Sequence, residues 1–391
     1  MQSSKKYVWR DSTAALLSSV AFGVVVLLTA ALAHADGIVV AWGNNASGQT
    51  NVPAGLSNVV AVAAGWNHSL ALRADGTLVA WGGYYPPDRS GFVPMTVPAG
   101  LDNVTAMAGG EYHAVALRAD GTVIAWGWNS DGQTNVPPGL SNVVAVAAGS
   151  SHNLALRSDG TLLAWGRNSY GQTNVPAGLS NVVAIAAGVA HSLALQADGT
   201  VVAWGQNIYS QATVPASLSN VMAVTAGGWH SLASQADGTI ATWSWNGFGA
   251  MNVPAGLSNV VAVAGGGNHS LSLRANGTVI AWGYNNIGQA NVPAGLSKVV
   301  AVAAGYSHSL ALVGSGPPIR NAFAINPAFT GSGFSLQIPT QNGRVYALEY
   351  NNALTEANWT ALPLVSGNGG IQTLTDPGAV GGERFFRVRV W

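Results

Sequence analysis

The stretch Asn58-Val59-Val60-Ala61-Val62-Ala63-Ala64-Gly65, Trp66-Asn67, His68-Ser69-Leu70-Ala71-Leu72-Arg73, Ala74-Asp75-Gly76-Thr77, Leu78-Val79-Ala80-Trp81 decides the fold of this chain. Its first eight residues form an apolar run of Val and Ala. The run suits a strand buried on both faces, and its small side chains suit a crowded axis, so it predicts an innermost strand, A. His68 to Leu72 alternates large and small side chains at period two and predicts strand B. Asp75-Gly76 between two apolar runs is a hairpin signal, expected as a tight type I′ turn. Leu78 to Trp81 is strand C. A variable loop and a short outer strand D follow, as at Thr134-Asn135-Val136, ended by a proline that an edge strand tolerates.

This unit occurs seven times between Asp36 and about Gly314. Its tryptophan falls at Trp42, Trp81, Trp126, Trp165, Trp204, Trp243 and Trp282, and its histidine at His68, His113, His152, His191, His230, His269 and His308. Both series step by 39 residues, apart from one step of 45. A period near 40 with several short strands per unit is the signature of a propeller. Strands C and D stand alone at the start, in residues 36–53, and A and B stand alone at the end, in residues 298–313. Joined, they make a seventh blade. The expected fold is therefore all-β, a seven-bladed propeller whose ring closes on a blade shared by the two ends.

The units Gly-x-x-His-Ser-Leu-Ala-Leu-x-x-Asp-Gly-Thr-Val-x-Ala-Trp-Gly-x-Asn-x-x-Gly-Gln resemble the repeats of the regulator of chromosome condensation family. The short period and the Gly-Gln-Thr-Asn-Val-Pro-Ala-Gly ending are closer to a bacterial branch that includes the β-lactamase inhibitory propellers. The resemblance covers about 280 of 391 residues. It implies a fold more than a function, because such propellers range from nucleotide-exchange factors to enzyme inhibitors.

Charged residues make up only 8% of the chain. Beyond residue 35 there are 12 Lys and Arg against 14 Asp and Glu. No basic face is available to neutralise phosphates, so no nucleic-acid partner is expected. The chain has no cysteine, which excludes disulfides and thiolate metal sites. At the N-terminus, Lys5, Lys6 and Arg10 precede an uncharged, mostly apolar run from Ser12 to Ala33, and Ala33-His34-Ala35 resembles a small-x-small cleavage site. Residues 1–35 read as a secretory signal; the length of the apolar run leaves an uncleaved membrane anchor as the alternative. Both place the propeller, residues 36–314, in the cell envelope or outside the cell. After the hinge Gly314-Ser315-Gly316-Pro317-Pro318 the period stops. Phe334 to Ile338, Val345 to Tyr350 and Phe385 to Val390 alternate as strands, and residues 315–391 are expected to form a small β-sandwich. The pattern Gly-Arg-Val-Tyr-x-Leu-Glu-Tyr, Asn-Trp-Thr, Arg-Phe-Phe-Arg-Val is similar to a β domain appended to secreted proteins of Verrucomicrobia-type bacteria, and it implies no particular activity.

Residues that recur seven times are read first as structure. Equivalent histidines at a radius of about 10 Å stand roughly 9 Å apart in a sevenfold ring, too far to share a metal held at about 2 Å. Each is expected to tie its own A–B turn. The tryptophans are expected to fill the seams between blades, with local acceptors for their N–H groups. Asp75, Asp120, Asp159, Asp198 and Asp237 are turn residues, and Asn276 replaces them in the last turn. Past Asp36, the remaining propeller carboxylates are Asp88, Asp102, Glu111 and Asp131. No nucleophile elbow, metal-spaced His pair or phosphate-cradling loop occurs, so neither catalysis nor a cofactor is expected.

The copies differ in one respect. The B–C turns and D–A connections are nearly identical, whereas the A–B and C–D loops vary, and in an up-and-down blade those two loops emerge on the same face. That face carries Trp66, Tyr112, Trp229 and Tyr306 from A–B loops. From C–D loops it carries Tyr84, Tyr85, Trp128, Tyr170, Tyr209, Trp245, Phe248 and Tyr284, with Arg89, Arg167 and Asp131 among them. A six-residue insertion within residues 83–95 lies there too. Tyr, Trp and Arg interleaved with Asn, Ser and Gly is the composition of a recognition surface, although individual rings can instead cap a neighbouring blade. The function expected is non-catalytic binding of a protein partner. Glycan binding or adhesion is the alternative, and nucleotide exchange on a small GTPase is a weaker one that rests on the resemblance alone.

Overall fold

The computed structural model describes residues 37–88, 91–196, 198–235 and 237–314, and further segments at 325–330, 333–339, 345–351, 360–366, 371–376 and 385–390. The segment read as signal or anchor lies outside the described residues, among which no helix occurs. From residue 37 to 314 the chain forms seven small antiparallel sheets, the blades of a propeller-like array. In the first blade Val59–Ala64, His68–Arg73 and Leu78–Tyr84 pair in the order A-B-C. In the last, Ile38–Gly43 pairs with His308–Val313, which pairs with Val299–Ala304, so one sheet takes strands from opposite ends of the repeat region. Its register sets Trp42 opposite Ser309, as Trp81 is set opposite Ser69.

Strand B lies between A and C in its own sheet and is covered by its neighbours. Leu70, Leu72, Leu117, Leu154, Leu156, Leu193 and Leu195 are accordingly fully buried, each contributing about 1.5–3 kcal/mol of apolar burial. The A strands line a central channel of about 340 Å³, to which all seven blades contribute. Its mouth is laced by backbone bonds from each A–B loop to the next: Trp66 to Gly110, Glu111 to Ser150, Ser150 to Gly188, Val189 to Gly228, Gly228 to Gly266, Gly267 to Gly305, and Tyr306 to Gly65. Gly65 has no room for a side chain, since a Cβ there would lie 2.1 Å from the His68 ring.

Two local expectations need correction. The B–C turn is not type I′, because only its glycine takes a positive φ (79° at Gly76). Gly76 N donates to Arg73 O and Arg73 N to Thr77 O, the pattern of a type I turn closed by a glycine bulge. Asp75 braces it by accepting from both Thr77 N and Thr77 Oγ1, which holds its carboxyl below the usual range. Among the described residues the outer strand D forms in one blade only, at Val93–Pro94. Elsewhere side chains compete with the ladder. Asn45 Nδ2 donates to Asn51 Oδ1 at 2.7 Å, Asn45 Oδ1 accepts from Thr50 N, and Gln49 Oε1 accepts from Ser47 N. The same asparagine clamp closes 129–135, 168–174, 246–252 and 285–291.

The histidines also act differently from expectation. Each packs on its own A–B turn, but six of the seven bond across the seam. His152 Nε2 meets Ser192 Oγ, His191 Ser231, His230 Ser270, His269 Ser309, His308 Ser69, and His113 meets Asn153 Oδ1, all at 2.8–3.0 Å. The serine or asparagine then donates to a carbonyl such as Gln172 O, which also accepts the Trp204 indole N–H. One carbonyl thus ties two side chains of the following blade, using both its lone pairs. The seam between the first and second blades lacks this unit. Ala114 stands in the serine slot and Pro94 in the glutamine slot, and both His68 ring nitrogens and Trp126 Nε1 are buried without a partner among the described residues.

Past the propeller, Ile325–Thr330, Gly333–Pro339 and Ile371–Asp376 form one sheet. Val345–Asn351 pairs with Phe385–Val390 in another. The expected strands are present. Leu364 is buried with Val143-side apolar residues such as Val144 and Val183, and its N–H donates to Ser158 O at 2.7 Å in a B–C turn. That contact is on the side of the blades opposite the variable loops.

Candidate functional site

The A–B and C–D loops meet as expected, because C–D rings touch A–B rings. Tyr209 packs on Trp229 at 5.9 Å, edge to face, and Tyr84 on Tyr112 at 5.5 Å. Two aromatic runs result. One follows Tyr306, Trp66 and Tyr112, with Trp66 and Tyr306 centroids only 4.2 Å apart at the channel mouth. The other follows Trp229, Tyr209, Trp245, Phe248 and Tyr284 across three blades. On the channel rim between these runs, the first A–B loop positions are Gly228 and Gly267.

Within this face the residues divide by exposure. Tyr85, Tyr170, Tyr209 and Phe248 are 43–58% exposed, and Arg167 is exposed. Trp66, Tyr112, Trp128, Trp229, Trp245, Tyr284 and Tyr306 are half-buried. Tyr84 does not belong to the surface. It is 5% exposed and packs with Leu70, Met95 and Ala114, because it extends strand C and so points opposite to Tyr85. Arg89 lies outside the described residues. Sequence reasoning missed Phe92, Ile208 and Ile287, exposed by 43–67%. Ile287 occupies the C–D loop slot that holds Tyr209 and Phe248 in other copies, and Ile208 the slot before it, so aligning the loops slot by slot would have found them.

Glu111 is the one carboxylate on an A–B loop. It accepts from Ser150 Oγ and from the Tyr112 hydroxyl. Desolvation raises its pKa against the pull of those bonds and of Arg167, and the same surroundings push the Tyr112 hydroxyl up. Among the described residues no group of three metal-binding side chains gathers. The seven seam histidines are held neutral by burial, their pKa lowered from 6.5 to about 3 or 4. Beside Glu111 a cleft of about 160 Å³ opens between the third and fourth blades. Arg167, Tyr170, Gln206 and Trp229 line it, together with Ser150 and Gln172.

Five segments of the chain, residues 59–83, 104–133, 143–172, 182–211 and 260–289, match the family model described as the regulator of chromosome condensation (RCC1) repeat. No curated protein matches the chain. Among solved structures, human WBSCR16 is similar with a TM-score of 0.57 at 20% identity, over 71% of this chain and 99% of its own. Prp20p from Saccharomyces cerevisiae gives 0.61 at 18% identity, over 73% and 93%. Yeast RCC1 (Prp20), in a structure with Kap60, gives 0.60 at 18% identity, over 78% and 96%. At these identities the likeness is one of fold.

Proposed function

We propose that this chain, with its RCC1-type repeats, is an exported, non-catalytic binding protein, and that its A–B and C–D loop face recognises a protein partner. In this reading residues 36–314 are a closed seven-bladed ring, residues 1–35 direct export, and residues 315–391 are a separate β-sandwich. The observation that carries the reading is the confinement of two aromatic runs to one face of an otherwise monotonous ring. Exposed rings flanked by half-buried ones form the kind of patch in which a few aromatic anchors dominate binding. The structural neighbour Prp20p is described with binding to Gsp1p and histones, and protein recognition is thus a use to which this fold is put. The short repeat resembles the branch that contains enzyme-inhibiting propellers, and this too favours a protein ligand.

Replacing Tyr170, Tyr209 and Phe248 by alanine tests it. Capture of a partner from the native envelope should be lost, at about 2 kcal/mol or more per anchor, while the melting temperature hardly moves. Replacing the seam residue Trp165, which donates to Gln133 O at 3.1 Å, should instead destabilise by about 3–5 kcal/mol. If the loop variant captures the partner as the parent does, the face is not the binding surface. If soluble oligosaccharide displaces the partner, recognition is of a glycan.

A further inference from the structure

Charge is distributed unevenly over the variable face. Every charged side chain of its loops, Asp88, Arg89, Glu111, Asp131 and Arg167, belongs to the first three blades. The loops of the other four blades carry none. In residues 197–314 the charged residues are Asp198, Asp237, Arg274 and Lys298, which lie at B–C turns and in a D–A connection on the opposite face. The uncharged arc is also where large apolar side chains stand clear of any charge. Ile208, Tyr209, Phe248 and Ile287 are 43–67% exposed on the C–D loops of the fourth, fifth and sixth blades. Ring contacts join these loops into one surface, Tyr209 on Trp245 at 5.9 Å and Phe248 on Tyr284 at 4.7 Å. On the channel side, Gly228 and Gly267 add no side chain. Tyr85, Phe92 and Tyr170 are exposed too, but they share their loops with Asp88 and Arg167.

Resting on the protein-binding reading, we infer that the arc over the fourth to sixth blades takes an uncharged patch of aliphatic and aromatic side chains of the bound protein. The charged loops of the first three blades then meet the partner's polar margin. Protein interfaces are depleted of charge and enriched in aromatic residues at their buried centre and are polar at the rim, and the two parts of this face divide in the same way. An ionised group laid on the arc would lose its hydration and find no counter-charge there, so a charged epitope is selected against. Over the first three blades a charge can be met, since Arg167 is exposed. A lipid surface fits less well. Apolar side chains that enter a bilayer interface are typically flanked by Lys and Arg, whereas on this face Asp88, Glu111 and Asp131 outnumber Arg89 and Arg167.

Other copies of the repeat supply substitutions that the fold already accepts. Asp131 occupies the loop slot of Ile287, and both backbone N–H groups donate to the glutamine two residues on. Ser130 and Ser169 occupy the slot of Ile208. The probe is a phage-displayed random peptide library panned on the full chain. Enriched peptides should be uncharged and rich in Leu, Ile, Phe or Trp. Made synthetically, they should bind with an affinity that changes less than twofold over a tenfold rise in salt. The double variant Ile208→Ser, Ile287→Asp should bind them at least tenfold more weakly at an unchanged melting temperature. Enrichment of charged peptides, screening by salt, equal binding by the variant or no enrichment at all overturns the inference. Co-sedimentation with phosphatidylcholine vesicles that the double variant abolishes would assign the arc to lipid, and self-association that it abolishes would assign it to a second copy; either overturns the inference. Peptides lost with Arg167→Met but kept by the double variant would move the anchor to the first three blades, overturning the inference while the protein-binding reading stands.

Discussion

Ser192 Oγ donates its single proton to Gln172 O, so the bond it shares with His152 must be donated by the imidazole. The same logic applies at Ser231, Ser270, Ser309 and Ser69, and at Asn153, whose Nδ2 donates to Gln133 O. The network thus assigns the Nε2–H tautomer to six histidines. Ser192→Ala should leave that N–H buried and unpaired and lower stability by about 1–3 kcal/mol. Ala114→Ser should do the reverse for His68 and raise it by about 0.5–1.5 kcal/mol. Urea titration of both variants measures the pair of effects, and a destabilising Ala114→Ser would show that the seam has closed around the alanine. A second consequence is sensitivity to acid. Burial lowers each seam pKa from 6.5 to about 3 or 4, so below about pH 6.5 the unfolded chain binds protons that the folded chain refuses. Stability is full above that pH and is lost as the pH falls toward 4. Each such proton adds about 1.4 kcal/mol per pH unit to the slope, and seven act together. The melting temperature should drop steeply between pH 6.5 and pH 4.5; a flat profile there would mean that the imidazoles are solvated.

At the scale of the strand and loop, Ser244 is the instructive exception. Its φ is 104°, where Gly205 and Gly283 stand at 97° in the matching position after strand C. A serine there carries backbone strain of about 1–3 kcal/mol, partly offset by its bond to Trp229 O. Ser244→Gly should therefore stabilise the fold by about 1 kcal/mol while loosening the Trp229 loop, readable as a higher urea midpoint with faster exchange of the Trp229 indole N–H. An unchanged midpoint would show that the bond fully offsets the strain. Strands A, B and C were legible in sequence because period-two alternation and a fixed spacing act over a few residues. Strand D was not, since Asn45 and Asn51 close the segment on itself by side-chain bonds that hydrophobic pattern does not register. Nor were the histidine partners, which lie 40 residues on and become neighbours only once blades pack. The loop face was legible as a set but not ring by ring. Tyr84 and Tyr85 differ only by one step along a strand, and polar Gln206 gave no signal among aromatic slots.

For the whole molecule, the sheet that joins Ile38–Gly43 to His308–Val313 carries the longest-range pairing in the propeller. Deleting residues 36–53 removes a strand from it, together with Gln49, whose carbonyl accepts from Ser69 and Trp81 of the first blade. Exposed ladder edges and unpaired seam groups should follow on both sides. The truncated protein is expected to aggregate or to unfold over a broadened transition, by calorimetry against the parent. A sharp transition at the parent temperature would show that the ends contribute independently of each other. The asparagine clamps have a different consequence at this scale. Each fastens the base of a C–D loop by the same pair of side chains, whatever the residues at the tip. The tips are therefore interchangeable cassettes in equivalent sockets, and recombination between near-identical repeats can transplant one intact, reshuffling the pattern of rings around the face while the scaffold beneath is unaltered.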